Sequence, residues 1–341
     1  ANLSIPEIFA SKGEPYFRKL EQEILADLIN NTSAIFALGG GTLLDDQTRA
    51  QVESIGKVIC LQSDLEDLVS RLGSSQTIRP LLNGNIRINL ESLLKKRAPH
   101  YSSFPIKCQT TNLTPDEVIW EIQKRLGWFH IGENAGGYDV RIGHGKLGLV
   151  GQTLVNIGIS GQIFLVTDQT IGPLHSKAVV KSLGQAGYDV NTHAIPAGEK
   201  YKNLKTIETL WNAFLDAGLD RSSTVIALGG GVVGDLTGFA ASTYMRGIDW
   251  INLPTTLLAM VDASVGGKTG IDLPQGKNLV GAFHSPKMVI IDPEALSTLP
   301  EHEMRSGMAE VVKHGVIDSP DLFELCKSGI SANPTAFEDL I

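Results

Sequence analysis

Cysteine is scarce in this chain. Cys60, Cys108 and Cys326 are the only three in 341 residues, odd in number and without a C-x-x-C pair. That excludes a disulfide framework and a cysteine-built zinc cluster, and it leaves ordinary reduced thiols, as expected of a cytoplasmic protein. Long hydrophobic runs are absent: none approaches the ~18 residues of a membrane span. The first residues lack the basic-then-apolar order of a signal peptide. Positive charge is in deficit, with 29 Lys and Arg against 37 Asp and Glu and a formal net charge of −8. Nucleic acid and anionic membrane are therefore not expected as main partners. Heptads, low-complexity tracts and solenoid repeats are also missing. So is the phosphate-cradling G-x-x-x-x-G-K-[ST]: the segment Gly266-Gly267-Lys268-Thr269 places Asp262 where the first glycine would stand.

What is present suits a globular protein with a sizeable core: 42% hydrophobic and 19% charged residues. The length suggests two or three domains. An apolar strand, Thr224 to Leu228, stops at Gly229, Gly230 and Gly231, and a small-residue helix is expected from about Asp235. Glycines allow a sharp turn and close approach to a ligand, and a helix N-terminus presents free N–H groups. Gly229, Gly231 and Gly234 match the G-x-G-x-x-G spacing, which alone fits either a nucleotide site or a tight turn. The same A-L-G-G-G follows an apolar segment at Ala34 to Leu44. We read two α/β domains, each with a strand–glycine–helix corner. Beyond the second corner come Arg246, Pro254-Thr255-Thr256, Asp262, Lys268 and Lys277-Asn278. Cations of this kind bind phosphate and carboxylate, and carboxylates receive hydroxyls.

From Tyr138 through Arg305–Gly315 (RSGMAEVVKHG) to the chain end, the sequence resembles 3-dehydroquinate synthase. The resemblance implies an NAD-binding Rossmann-like domain followed by a helical metal domain. It implies NAD contacts at Asp168, Glu199, Lys202, Gly229, Gly230, Gly231, Val232, Asp235, Thr255, Thr256, Lys277 and Thr298. It implies a catalytic and substrate set of Asp262, Lys268, Lys277, Asn278 and Lys313, with Arg246 reaching the substrate phosphate across a homodimer interface. Glu310 corresponds to the family's glutamate ligand to Zn²⁺ or Co²⁺. The two histidine ligands of the family fall beyond Ile341. His314, one turn after Glu310 on the same helical face, stands where the family often has tyrosine and is left outside the ligand set. His284 is read as structural.

The N-terminal third carries a second resemblance. Its helical-period residues Phe17, Leu20, Ile24, Leu25 and Leu28 are followed by a strand into the first triple glycine. A strand at Val58–Leu61, a helix from Asp64 to Leu72 and a basic helix (LESLLKKRAPHY) come next. The motifs IPEIF-x3-GE-x2-FR-x2-E, the triple glycine, T-x-RPLL and KRAP-x-Y resemble shikimate kinase. They imply that Arg18 and Arg97 hold the shikimate carboxylate, that the backbone at Gly39, Gly40 and Gly41 meets its hydroxyls, and that Arg79 approaches the phosphates of ATP. ATP with Mg²⁺ would be the cofactor of the intact kinase. Without the phosphate cradle, these residues are expected to be inactive as a kinase.

The expected architecture is α/β throughout. A partial P-loop-kinase-like domain covers 1–130 and a linker 131–137. A Rossmann-like NAD-binding domain covers 138–293, and the start of an α-helical metal-binding domain covers 294–341. The expected function is a shikimate kinase–3-dehydroquinate synthase fusion, read as a fragment, acting on small molecules. A metal-dependent polyol dehydrogenase and a non-catalytic NAD-binding remnant are the alternatives.

Overall fold

The apolar runs of the C-terminal two thirds become buried parallel strands. A computed structural model describes residues 3–29, 34–73, 85–132, 137–327, 337 and 341. It separates into two units, Ala1–Arg125 and Leu126–Ile341.

In the first unit the elements are α1 (Ile5–Ile29), α2 (Asp46–Ile55), β1 (Ile59–Gln62), α3 (Leu65–Gly73), α4 (Ile86–Ser102), β2 (Ile106–Gln109) and α5 (Pro115–Leu126). Gly13, at φ 79°, and Pro15 break α1 into two pieces. Asp45 caps α2 by accepting from Thr48 N at 2.8 Å, and Asn85 caps α4 through Ile88 N at 3.2 Å. β1 and β2 pair in parallel, as a strand–helix alternation requires. The expected strand ahead of the first triple glycine is not a strand. Residues 34–38 join no ladder among the described residues, and Ile35 is fully exposed. An apolar stretch becomes a strand only where a partner satisfies its backbone. The unit's buried cluster is correspondingly small: Leu25, Leu43 and Phe104, with Leu38, Val52 and Val58 packed against it.

The second unit begins with β3 (Trp128–Ile131), which pairs antiparallel with β4 (Tyr138–Ile142). Residues 128–130, assigned above to the first domain, therefore extend the sheet of the second. Next come α6 (Val150–Asn156), β5 (Ile163–Asp168), α7 (Gly172–Gln185), β6 (Val190–Ile195), α8 (Leu204–Asp216) and β7 (Thr224–Gly229). They are followed by α9 (Gly231–Thr243), β8 (Asp249–Pro254), the hairpin β9 (Lys268–Leu273) and β10 (Gly276–Phe283), and β11 (Met288–Ile291). Two helices, α10 (Glu301–Ile317) and α11 (Pro320–Lys327), complete the described elements.

The seven-stranded sheet has the order β3-β4-β11-β8-β7-β5-β6, parallel apart from β3. Alternate residues of each central strand enter two cores: Ile163, Leu165, Ile226 and Leu228 on one face, Phe164, Val166, Val225 and Ala227 on the other. This two-sided burial explains the continuous apolar runs in the sequence. From β5 the chain crosses outward to β6 and then returns to β7 on the opposite side of β5. That reversal opens a crevice at the carboxyl ends of β5 and β7, the place where such sheets bind ligands.

Candidate functional site

The crevice is bounded by Asp168, the last residue of β5, and Gly229, the last of β7. α9 starts at Gly231 with Gly230 as its cap, four residues earlier than the sequence suggested. Glycine permits this abrupt entry: a Cβ on Gly230 would lie 3.1 Å from Thr256 Cγ2. No side chain caps α9, so its first N–H groups face the crevice without a side-chain acceptor. Thr255 is 1% exposed, and its Oγ1 is buried without a hydrogen-bond partner. Its own amide donates to Gly229 O at 3.0 Å, which fixes it beside the glycine turn. Val232 lies in the first turn of α9, partly buried. Asp168 Oδ1 accepts from Thr170 N and Ile171 N at 2.7 and 2.8 Å; neither bond uses Oδ2. An uncapped helix N-terminus, a glycine cradle and an orphaned buried hydroxyl fit the pyrophosphate and ribose of a dinucleotide.

On the other side of α9, Lys202 is nearly buried and forms an ion pair with Asp235. Its ammonium also donates to Asn278 Oδ1 at 2.5 Å. Burial pushes the Asp235 carboxyl above its usual range, against the opposing pull of Lys202. Asp272 N donates to Lys202 O at 2.8 Å, and Asn278 N donates to Asp272 Oδ1 at 2.8 Å. Lys277 pairs with Glu199 at 2.9 Å, which raises the lysine above its ordinary value. These bonds latch the β9–β10 hairpin onto the Glu199–Lys202 turn. They hold Lys277 and Asn278, the latter in the left-handed region at φ 55°, at the edge of the crevice. Lys268, at the start of β9, is exposed.

A third group lies near the end of β8. Asp262 comes from a π-helical turn, Ala259–Ala263, and Glu310 and His314 from successive turns of α10. One ligand atom from each falls within 4.8 Å of the others. Glu310 Oε1 also accepts from Lys313 Nζ. Two carboxylates and an imidazole form a donor set that suits zinc or cobalt. Arg246 is exposed in a tight turn with Met245, both in the left-handed region at φ 69° and 47°. His284 Nε2 lies 2.9 Å from Ile248 O.

Thr298 Oγ1 donates to Ala295 O at 3.0 Å and lies 2.8 Å from His175 Nε2. The two residues stand 123 positions apart, and nothing in the sequence signals the pairing. Burial holds His175 below its ordinary value, with Asp292 pulling the other way; half-buried His193 is lowered by burial too. A histidine depressed in the folded state is more easily protonated when unfolded. Its penalty is absent above the unfolded pKa of about 6.5 and grows as the pH falls below it. We therefore expect Tm to drop between about pH 7 and pH 5.5, and His175→Gln to flatten part of that drop. Superimposable Tm profiles for the two proteins would remove His175 from the account.

In the first unit, Arg18 donates to Glu21 Oε2 at 2.6 Å and to Glu14 Oε1 at 3.1 Å. A Cβ on Gly41 would lie 2.6 Å from Arg18 Nη2, so the glycine admits the guanidinium. Arg97 donates to Gly40 O at 3.3 Å, as Tyr101 does at 2.8 Å. Thr42 links the loop to Glu21 at 2.7 Å. A cleft of about 420 Å³, lined by residues including Glu14, Arg18, Gly41 and Asp45, opens here. Arg18, Gly40, Gly41 and Arg97 thus converge, with Gly39 one residue before; Arg79 lies outside the described residues.

Comparison with known proteins agrees with this division. Residues 1–127 match the shikimate kinase family, and residues 192–306 match the 3-dehydroquinate synthase N-terminal family. A 3-dehydroquinate synthase from a Picosynechococcus is 53% identical over 193 residues, 57% of this chain and 52% of that protein. The chain spans about half the length of the curated relatives it matches. Among solved structures, a 2-epi-5-epi-valiolone synthase from Streptomyces hygroscopicus with NAD⁺ and Zn²⁺ bound superposes with a TM-score of 0.56. It is 29% identical and covers 62% of this chain and 61% of that one. A 2-deoxy-scyllo-inosose synthase complexed with carbaglucose-6-phosphate, NAD⁺ and Co²⁺ gives 0.53 at 29% identity, covering 56% and 52%. The chain is therefore similar to the shikimate kinase family over residues 1–127 and to the 3-dehydroquinate synthase family over residues 192–306, in that order.

Proposed function

We propose that the second unit is the NAD-binding part of a 3-dehydroquinate synthase, fused to a shikimate kinase part, working in the cytoplasm as a homodimer. The reaction would convert 3-deoxy-D-arabino-heptulosonate 7-phosphate to 3-dehydroquinate and phosphate; the kinase part would transfer phosphate from ATP, with Mg²⁺, to shikimate. NAD, when bound, accepts a hydride and returns it, and a divalent cation polarises the oxygen at the oxidised carbon.

The chain's own residues supply position and charge. The α9 N-terminus and Gly229–Gly231 would receive the pyrophosphate, with Asp168, Glu199, Lys202, Val232, Asp235, Thr255, Thr256 and Thr298 around the rest of the dinucleotide. Lys268, Lys277, Asn278 and Arg246 would hold the substrate's phosphate and carboxylate. Asp262 would accept a substrate hydroxyl, and Lys313, whose ammonium meets Glu310, would move a proton. A polyol offers no anion to this cationic set, which favours the synthase over a polyol dehydrogenase.

The observation that carries the reading is the uncapped α9 N-terminus at the β5/β7 crevice, beside the orphaned Thr255 hydroxyl. The test is calorimetric titration of NAD⁺ into the full chain. Gly230→Val sets a branched side chain against Thr256 and displaces the glycine turn at the α9 N-terminus; it should weaken binding about 100-fold while leaving circular dichroism unchanged. Equal affinity in the two proteins would overturn the reading.

A further inference from the structure

We infer that Tyr138 is a positioning residue for Lys268: its hydroxyl pins the glycine loop from which that lysine enters β9. The inference rests on the reading of the second unit as a synthase with Lys268 on its substrate. It goes beyond that reading, because the resemblance gives Tyr138 no part in the site.

The segment from Asp262 to Lys268 carries a residue of the proposed substrate set at each end, and the two ends are fixed differently. Asp262 lies in the π-helical turn Ala259–Ala263, and the residues just before that turn are wedged against α10. A Cβ on Gly307 of α10 would lie 2.6 Å from Leu257 Cβ and 2.7 Å from Leu258 N. Packing therefore holds the Asp262 end. The Lys268 end is preceded by Gly266 and Gly267, both in the left-handed region at φ 97° and 62°. Glycine suits these angles, but it also has the most backbone freedom to lose, so such a pair needs support from outside. Ser264 gives none through its side chain, since its Oγ is buried without a hydrogen-bond partner.

The two glycines are supported in different ways. Gly267 is packed: a Cβ there would lie 2.5 Å from Ser285 Oγ, and its carbonyl accepts from His284 N at 2.8 Å. Gly266 is not packed, because a Cβ there would meet nothing within 4 Å. What holds it is a hydrogen bond, its amide donating to Tyr138 Oη at 2.8 Å. Tyr138 is the first residue of β4, 2% exposed, and belongs to the same buried cluster as Leu257 and Met260. A side chain locked in the core thus ties the loop to the sheet across 128 positions of sequence. Lys268 has a flexible stem and an exposed residue position, so the placing of its charge depends on where its backbone is held. A shift of about 1 Å in such a group is enough to cost a large part of its effect on a bound anion.

The experiment compares the full chain with Tyr138→Phe, which keeps the buried ring and removes one oxygen. Hydrogen exchange at residues 265–268 should quicken about 10-fold, with β4 and β11 unchanged. The second readout is calorimetric titration of 3-deoxy-D-arabino-heptulosonate 7-phosphate in EDTA with saturating NAD⁺, so that no cation supports turnover. Its affinity should fall about 10-fold in Tyr138→Phe, while that of NAD⁺ stays the same. Lys268→Met should weaken the sugar phosphate as well, and adding Tyr138→Phe to it should cost nothing further, because one residue acts through the other. Tyr188→Phe removes a comparable hydroxyl, which donates to Ile159 O at 2.8 Å, and should change none of these readouts. Unchanged exchange at the loop, or losses that add in the double variant, would overturn the inference. Quickened exchange confined to the loop, in a chain that binds neither NAD⁺ nor the sugar phosphate, would support Tyr138 as the pin and sink the synthase reading instead.

Discussion

Lys202→Met should lower the stability of the second unit by about 3 kcal/mol, the low end for removing one partner of a buried ion pair. The low end applies because Asp235 keeps 21% side-chain exposure. Its carboxyl, already raised by burial, can also take a proton once the ammonium is gone. The sign with pH follows: a neutral Asp235 carries no unpaired charge, so the difference between the two proteins should shrink on acidification. The substitution also cuts the bond to Asn278 that latches the β9–β10 hairpin. Hydrogen exchange at residues 268–283 should therefore quicken more than in the β5 and β7 strands. A uniform change across the unit would show that Lys202 contributes to global stability and does not position the hairpin.

The second large effect is expected at Phe214, which is completely buried on α8. It packs edge-on against Phe164 of β5 at 5.1 Å between centroids and against Tyr244 at 5.4 Å. Phe214→Ala removes a full ring from a closed core and should cost about 4 kcal/mol. Phe214→Leu should recover more than half of that loss. The consequence reaches the site through Tyr244, whose hydroxyl donates to Leu219 O at 2.9 Å. Tyr244 anchors the turn whose next two residues, Met245 and Arg246, adopt left-handed backbone. Loosening that anchor frees the strained turn to relax and misdirect Arg246. Urea unfolding followed at the buried Trp250 reads the stability, and a loss under about 1 kcal/mol would show that the cavity collapses.

The strands that carry the site were legible because they are buried on both faces. Ile163–Asp168 and Thr224–Gly229 are largely apolar runs ended by a carboxylate or a glycine, and the glycine spacing marked the turn at the end of β7. The first triple glycine shows the limit of the same signal. Ala34–Leu38 reads as the same kind of strand, yet no ladder receives it among the described residues. The β9–β10 hairpin gave no alternating pattern to read, because Thr269, Gly270 and Ile271 are buried in succession while Lys202 and Glu199 hold its Lys277–Asn278 end. Residues 128–130 read as the end of the first domain, and only pairing with β4 makes them a strand of the second unit's sheet.

By itself, the sequence determined the α/β class, the resemblance to two families and the residue types gathered after each glycine corner. Those follow from local composition and from motifs written within a few residues. Tertiary structure alone decided that α9 begins at Gly231, that Lys202 bridges Asp235 and Asn278, and that His175 meets Thr298. It alone placed His314 beside Asp262. Each of those depends on how closely two distant backbones approach, and that distance is set by packing across the sheet and by a glycine such as Gly307 rather than by neighbours along the chain.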